Sequence, residues 1–263
     1  MSLIKKLFLI AILFYLPLHS FAWGMLGHRI VGEVADSYLT PKARLAIKQI
    51  LGNESLAMAS NWPDFIKSDP AYNYLNPWHY ANLEDGMSYQ QLQDYFKADT
   101  ITDAYTKLNF LIRELKNKQL PKESQVLYLR LVIHIIGDIH QPMHTGHAGD
   151  LGGNKVSVLW FRDSSNLHRV WDDQLIDYQQ LSYTEYTKAI NFTTQAQRDE
   201  WQQQPMSQWF YESYQLSRDL YAEIRQPYQK LSYSYNFKHI AALNERLLKG
   251  GVRLAGVLNE LFG

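Results

Sequence analysis

Residues 134–144 read HIIGDIHQPMH and put His134, Asp138, His140 and His144 in one short stretch. Imidazole nitrogen and carboxylate oxygen are the ligands zinc takes when no thiolate is at hand, and the chain has no cysteine. His134 and Asp138 stand four apart, which projects both from one face of a helix. The residues leading into them, VLYLRLVIHII, are strongly apolar and predict a buried helix. An imidazole and a carboxylate buried there without partners would be costly, and a metal ion supplies the partner. The segment NLHRVWDD repeats the spacing with His168 and Asp172. Either pair alone also arises as an exposed helix ion pair; two pairs together with His144 point to metal. Asp64, in NWPDFIK, and His79, in NPWHYANL, would be unremarkable by themselves and gain weight beside the two pairs.

The elements that must hold these groups are mostly helical. Thr40 and Pro41 give an N-cap and first-turn signal, Gly52 a stop, and ARLAIKQIL between them has amphipathic spacing. Helical periodicity also predicts helices over 102–118, 123–139, 206–225 and 237–260. Only NKVSVLWF, residues 154–161, alternates like a strand, through Val156, Val158 and Trp160, before the turn-like DSSN. The Gln-rich patch around 196–204 reads as a solvated loop or helix face. The expected class is mainly α, one domain with a small β-hairpin.

The first 22 residues read as a secretory leader: Lys5 and Lys6, an apolar stretch from Leu7 to Leu18, then Ser20-Phe21-Ala22 as a cleavage site. Cutting there leaves a domain of 23–263, periplasmic or secreted, with no stable membrane association and an expected monomeric state. The formal charge moves from zero to two negative charges, because both lysines leave and no acid does. A chain without basic excess is not built for salt-driven duplex binding. Absence of cysteine excludes disulfides, thiolate zinc sites and cysteine nucleophiles. Cleavage would also make Trp23 the first residue, and a free α-amino group, with a pKa near 8, can coordinate metal when neutral.

In these motifs the chain resembles the type I zinc-dependent nucleases, secreted single-strand-specific nucleases and 3′-nucleotidases grouped with zinc-dependent phospholipase C. The resemblance runs from WGMLGHRIVGEVAD through the WPD and WHY segments, HIIGDIHQPMH, GDLGGNKVSVLWF and NLHRVWD to KGGVRLAGVLNELF. It implies a helical phospholipase C/nuclease-like fold and a cluster of three Zn2+. Asp64, His79, His134 and Asp138 match the ligands of one zinc. The Trp23 amine and carbonyl, His28 and the bridging Asp138 match those of its neighbour. His144, His168 and Asp172 match the third. His140 has no place in that set, which leaves it to support a ligand from behind or to face solvent; His147 and His239 match no ligand position.

The resemblance further implies hydrolysis of single-stranded RNA and DNA to 5′-phosphate products, with 3′-nucleotidase activity. Zinc lowers the pKa of water from 15.7 to about 7, and a close metal pair can hold nucleophile and phosphate together. Asp64, Lys67 and Asp138 are then the expected catalytic groups. Lys67 would meet the phosphate as a point charge, Tyr80 would stack a base, Asn82 would bond a base edge and Asn154 would reach the phosphate. Asn82 stands where well-known members carry aspartate, so base preference can differ. The alternatives are a zinc-dependent phospholipase C-like esterase, a branch that typically carries Glu where this chain has Asp172, and a non-catalytic zinc-binding protein.

Overall fold

The computed structural model describes residues 23–98 and 101–263; the expected leader, residues 1–22, lies outside them. The chain opens with α1 (Met25–Ser37), α2 (Pro41–Leu51), α3 (Leu56–Ala59) and α4 (Trp62–Phe65). A 3-10 stretch, Pro70–His79, follows. Then come α5 (Tyr89–Lys97), α6 (Ala104–Leu115) and the long α7 (Lys122–Asp138). Strands β1 (Ser157–Trp160) and β2 (Asp163–Asn166) lead into α8 (Leu167–Arg169), a π-helical turn (Val170–Gln174) and α9 (Leu175–Asp177). The chain closes with α10 (Tyr183–Ile190), α11 (Gln195–Gln203), α12 (Met206–Glu223), β3 (Gln229–Leu231) and α13 (Tyr233–Phe262). The fold is mainly α, as the periodicity predicts, and no helix among the described residues is long and apolar enough to cross a membrane.

Local chemistry sets many of the boundaries. Thr40 caps α2 through Ala43 N–H, Pro41 occupies its first turn and Gly52 ends it at φ 68°. Reciprocal capping boxes open α5 (Ser88 with Gln91), α6 (Asp103 with Thr106), α10 (Ser182 with Glu185) and α11 (Thr194 with Gln197). The Gln-rich patch is therefore a helix with no buried residue, the solvated helix face of the two readings offered.

Helices α1, α7 and α13 pack on one another and form the centre of the core. Ile30, Val31 and Val34 of α1, Val132, Ile133 and Ile136 of α7 and Leu247, Val252 and Leu254 of α13 are all buried. The sheet is smaller and differently built than the alternation predicts. Residues 154–156 belong to the preceding turn, and β1 begins at Ser157. Strand β1 pairs antiparallel with β2, Ser157 opposite Asn166 and Trp160 opposite Asp163. It pairs parallel with β3, Val158 opposite Gln229, so the hairpin gains a third strand. Val158 and Trp160 are the buried face of β1, the phase the alternation indicates.

Candidate metal centre

The nine positions singled out in the sequence come from five separate segments, and the core packing brings them to one place. Helix α1 supplies His28, α4 supplies Asp64 and the end of the 3-10 stretch supplies His79. The last two turns of α7 carry His134 and Asp138, and the turn beyond carries His144. His168 ends up on α8, but Asp172 lies in the π-helical turn, not on the regular helix that the i, i+4 spacing predicts. The wider turn still brings His168 Nε2 to 3.1 Å from Asp172 Oδ2. Single π turns inside helices are a common device at functional sites.

Three groups of ligand-type atoms result: His28, Asp64 and His134; His79, His134 and Asp138; and His144, His168 and Asp172, the atoms of each lying within 4.8 Å of one another. The third group contains the residues expected for the third zinc. The other two interleave through His134 and the Asp138 carboxylate. Asp138 Oδ2 lies 2.9 Å from His79 Nδ1 and 3.1 Å from His134 Nε2. Its Oδ1 lies 3.3 Å from His28 Nε2 and 3.7 Å from His144 Nδ1. This carboxylate therefore stands at the junction of all three groups.

The backbone fixes the histidine tautomers. Nδ1 of His134 donates to Ser60 O at 2.6 Å, Nδ1 of His144 to His79 O at 2.6 Å and Nδ1 of His168 to Gly152 O at 2.6 Å. A carbonyl can only accept, so each Nδ1 carries a proton, and in the neutral ring Nε2 keeps the lone pair. Holding the far nitrogen this way is the usual support behind a metal-ligating histidine. Several buried atoms have no hydrogen-bond partner at all: both ring nitrogens of His28, His79 Nε2, Asp138 Oδ1 and His144 Nε2. Buried polar atoms without partners are rare. Here His28 Nε2, Asp138 Oδ1 and His144 Nε2 belong to the three groups, and of their three carboxylates Asp64 has the Lys67 ammonium at 2.5 Å. Hard or borderline divalent cations suit this donor set of imidazoles and carboxylates.

The electrostatics agree. Burial raises Asp64, but Lys67 and the neighbouring histidines outweigh it and bring its pKa down to about 2. Burial likewise opposes ionisation of Asp138, yet His134 and His144 hold it well below the carboxylate range. Burial lowers His79 to about 4 and His144 to about 3, keeping both neutral and able to coordinate. Burial pushes Asp172 up to about 7, partly offset by His168. Such a carboxylate is a weak anion until a cation joins it.

Trp23 is completely buried at the floor of this centre. Its indole N–H donates to Gly137 O at 2.7 Å and the next amide, Gly24, to Asp172 O at 2.9 Å. Trp23 and Gly24 are thus pinned between the segments that carry Asp138 and Asp172. One residue that the sequence reading passed over, Gln141, binds the Asp172 carboxylate through its amide N–H and accepts from Met143 N–H. It sits inside HIIGDIHQPMH, where its polarity was the available signal.

A cleft of about 550 Å³ opens over the centre. Lys67, Tyr80, Asn82 and Asn154 all line it, as do His79, His144 and His168. Lys67 Nζ is also held by Asp64 Oδ1 at 2.5 Å, and Asn154 donates to Leu151 O at 2.8 Å. Tyr80 is 38% exposed, so a ring face is available to a ligand. Asn73, Asn76, Lys155 and Asn166 complete the polar wall, which among the described residues contains two lysines and no carboxylate. Asn73, Asn76 and His79 are spaced by three on the 3-10 stretch and so share one edge. Nothing in the apolar periodicity marks that geometry. Of the other histidines, His147 stacks on Tyr221 and His239 bonds Glu223, outside the three groups. His140 is fully buried, which overturns the solvent-facing option.

A family model described as S1/P1 Nuclease matches residues 23–263. The chain is similar to "Endonuclease 3" of Arabidopsis thaliana, 32% identical over 91% of this chain and 89% of that protein. It is also similar to "Nuclease S1" of Aspergillus oryzae, 30% identical over 59% of this chain and 55% of that protein. "Nuclease P1" of Penicillium citrinum is 30% identical over 57% of each.

Proposed function

Because the chain belongs to the S1/P1 nuclease family, we propose that it is a three-zinc phosphodiesterase. In this reading it is exported, cuts single-stranded RNA and DNA to 5′-phosphate products, and removes phosphate from 3′-nucleotides. The observation that carries the proposal is the convergence of five buried histidines and three aspartates in three groups of ligand-type atoms, with Nδ1 of His134, His144 and His168 tied to backbone carbonyls.

The residues that would hold the metals are Asp64, His79, His134 and Asp138; Trp23 and His28 with Asp138; and His144, His168 and Asp172. When bound, zinc draws charge from the phosphodiester, acidifies water and stabilises the leaving 3′-oxygen. The protein's own groups bind and orient. Lys67 offers a point charge at the cleft wall, beside Asp64. A cleft lined by lysines and asparagine amides, with no carboxylate among the described residues, suits an anionic backbone. Tyr80 can stack an unpaired base, worth about 1–3 kcal/mol and indifferent to base identity. That preference for a free ring face favours single strands over a duplex, whose bases are already stacked. Asn82 and Asn154 offer amides to a base edge and a phosphate. The overall reaction consumes one water and breaks the P–O3′ bond, leaving phosphate on the 5′ carbon.

The test is zinc-loaded protein beginning at Trp23, supplied separately with single-stranded RNA, single-stranded DNA, duplex DNA, 3′-AMP and phosphatidylcholine. We expect turnover of both single strands and of 3′-AMP, slow cleavage of duplex and none of lipid. Cleavage of lipid alone would establish the esterase reading instead, and no turnover with three zincs bound would leave a zinc-binding protein.

A further inference from the structure

His140 and the C-terminal motif KGGVRLAG are prominent in the sequence and have no part in the centre as described. They meet each other directly behind it. The His140 ring is completely buried. Its Nδ1 lies 2.7 Å from Ile136 O and its Nε2 lies 3.0 Å from Arg253 Nη1. A carbonyl only accepts and a guanidinium only donates, so the ring is neutral with its proton on Nδ1. Arg253 is itself fully buried and is gripped by Glu212, at 2.9 and 2.8 Å. Arg246 bonds the same carboxylate at 2.6 Å and donates through Nε to the His140 carbonyl at 3.1 Å. Ser213, bonded to Arg246 at 2.6 Å, donates to the Ile139 carbonyl. Gly250 of α13 lies against the His140 ring: a Cβ there would stand 3.4 Å from it, ordinary contact distance.

The two carbonyls and the one ring that this network holds belong to consecutive residues immediately after Asp138 and just before Gln141. Those two neighbours are the junction carboxylate and the residue that bonds Asp172. Helix α7 ends at Asp138; its last carbonyls still take the amides of Ile139, His140 and Gln141 at 2.9–3.0 Å, and the network takes the carbonyls of Ile139 and His140. A cluster of two buried arginines and a part-buried glutamate is often no more stabilising than an apolar replacement, although removing one partner is costly. Its contacts are instead directed at one turn.

We propose that His140, Arg253, Arg246 and Glu212, with Ser213, are positioning residues for the metal centre: they hold the Ile139–His140 backbone and so fix the aim of Asp138 and Gln141. This rests on the three groups being metal sites. The network touches no substrate. Removing support of this kind around metal ligands typically costs about 10–100-fold in metal affinity or activity.

The experiment compares protein beginning at Trp23 with its Arg253→Met and Ser213→Ala variants, the second chosen because loss of one hydroxyl leaves the fold intact. Zinc affinity is measured by competition with a chelating dye, kcat and KM on a single-stranded oligonucleotide, and thermal melting in chelator. We expect zinc affinity about tenfold or more weaker in Arg253→Met and several-fold weaker in Ser213→Ala. We also expect kcat to fall by more than KM rises, at temperatures where chelated protein of each kind is fully folded. Altered melting with unchanged zinc affinity and kcat in folded protein would overturn the inference, reducing the network to a structural one. Wild-type protein that binds no zinc would overturn the metal reading and the inference with it.

Discussion

Gly137 lies one residue before Asp138 in α7, where alanine should improve the helix by about 1 kcal/mol. The structure predicts the opposite outcome for Gly137→Ala. A Cβ at 137 would stand 2.8 Å from His28 Nδ1, against a lower bound of 3.4 Å for ordinary contact, a shortfall of 0.6 Å. His28 is fully buried and its ring stacks on His134 with centroids 3.9 Å apart, so it has little room to retreat. Overpacking of this kind costs about 1–3 kcal/mol. Set against the helix gain, chelated protein should lose at most about 2 kcal/mol. The larger effect falls on metal, because a ligand set tolerates displacements of only about 0.2 Å. A His28 ring pushed by 0.6 Å leaves that window, and zinc affinity of the paired groups should fall about tenfold or more. Gly149, which a Cβ would leave without a neighbour, is the control, and Gly149→Ala should bind zinc as wild type does. Isothermal titration of chelator-stripped protein, with urea melts of the same samples, reads both quantities. Wild-type zinc affinity and stoichiometry in Gly137→Ala would refute the claim that His28 is a metal ligand held by close contact.

Asp138→Asn keeps the shape of the junction residue but removes its charge; metal analysis should show the paired groups emptied and activity reduced more than the roughly 100-fold that supporting residues alone can cost. Chelation should lower the melting temperature, since each site at a free zinc level 1,000-fold above its Kd adds about 4 kcal/mol; an unchanged melting curve at full metal loss would contradict this. An additional Ala before Trp23 should displace the terminal amine and weaken one zinc while leaving the His144 group filled; unchanged content and rate would remove the amine from the ligand set. Burial raises Glu212, but Arg253 and Arg246 bring it down from 4.5 to about 2, so its stabilising effect is full above about pH 4.5 and fades as pH falls toward 2. Urea melts in chelator should therefore show Glu212→Gln about 3 kcal/mol less stable than wild type at pH 6, with the gap closing below pH 3; a gap independent of pH would refute the assignment.

The meeting of the His and Asp side chains was more legible in the sequence than the fold around it, for a physical reason. Spacing i, i+4 survives small changes of helical geometry, so His168 and Asp172 meet even though a π turn replaces the expected helix. Long apolar periodicity likewise placed α7 and α13 within a few residues, at Lys122–Asp138 and Tyr233–Phe262. Short elements had no such redundancy. Helices α5, α10 and α11 are announced by capping boxes at Ser88, Ser182 and Thr194, a local signal that apolar periodicity does not weigh. Strand β3 exists only because β1 offers it an edge, and three residues carry no pattern of their own.

His140 marks the limit of reading by spacing. It lies two residues past the end of α7, where the helical period no longer says which way a side chain points. Its surroundings come from Glu212, Arg246 and Arg253, more than seventy residues further along the chain. Each of those charged residues, taken alone, belongs on a surface by composition. Only together do they cover one another's charge well enough to be buried, and only burial lets them hold a backbone turn rather than solvate it. A His/Asp pair can thus be read from one segment because its geometry is local. The residues that aim it are recognisable only once the packing of α12 and α13 against that segment is known.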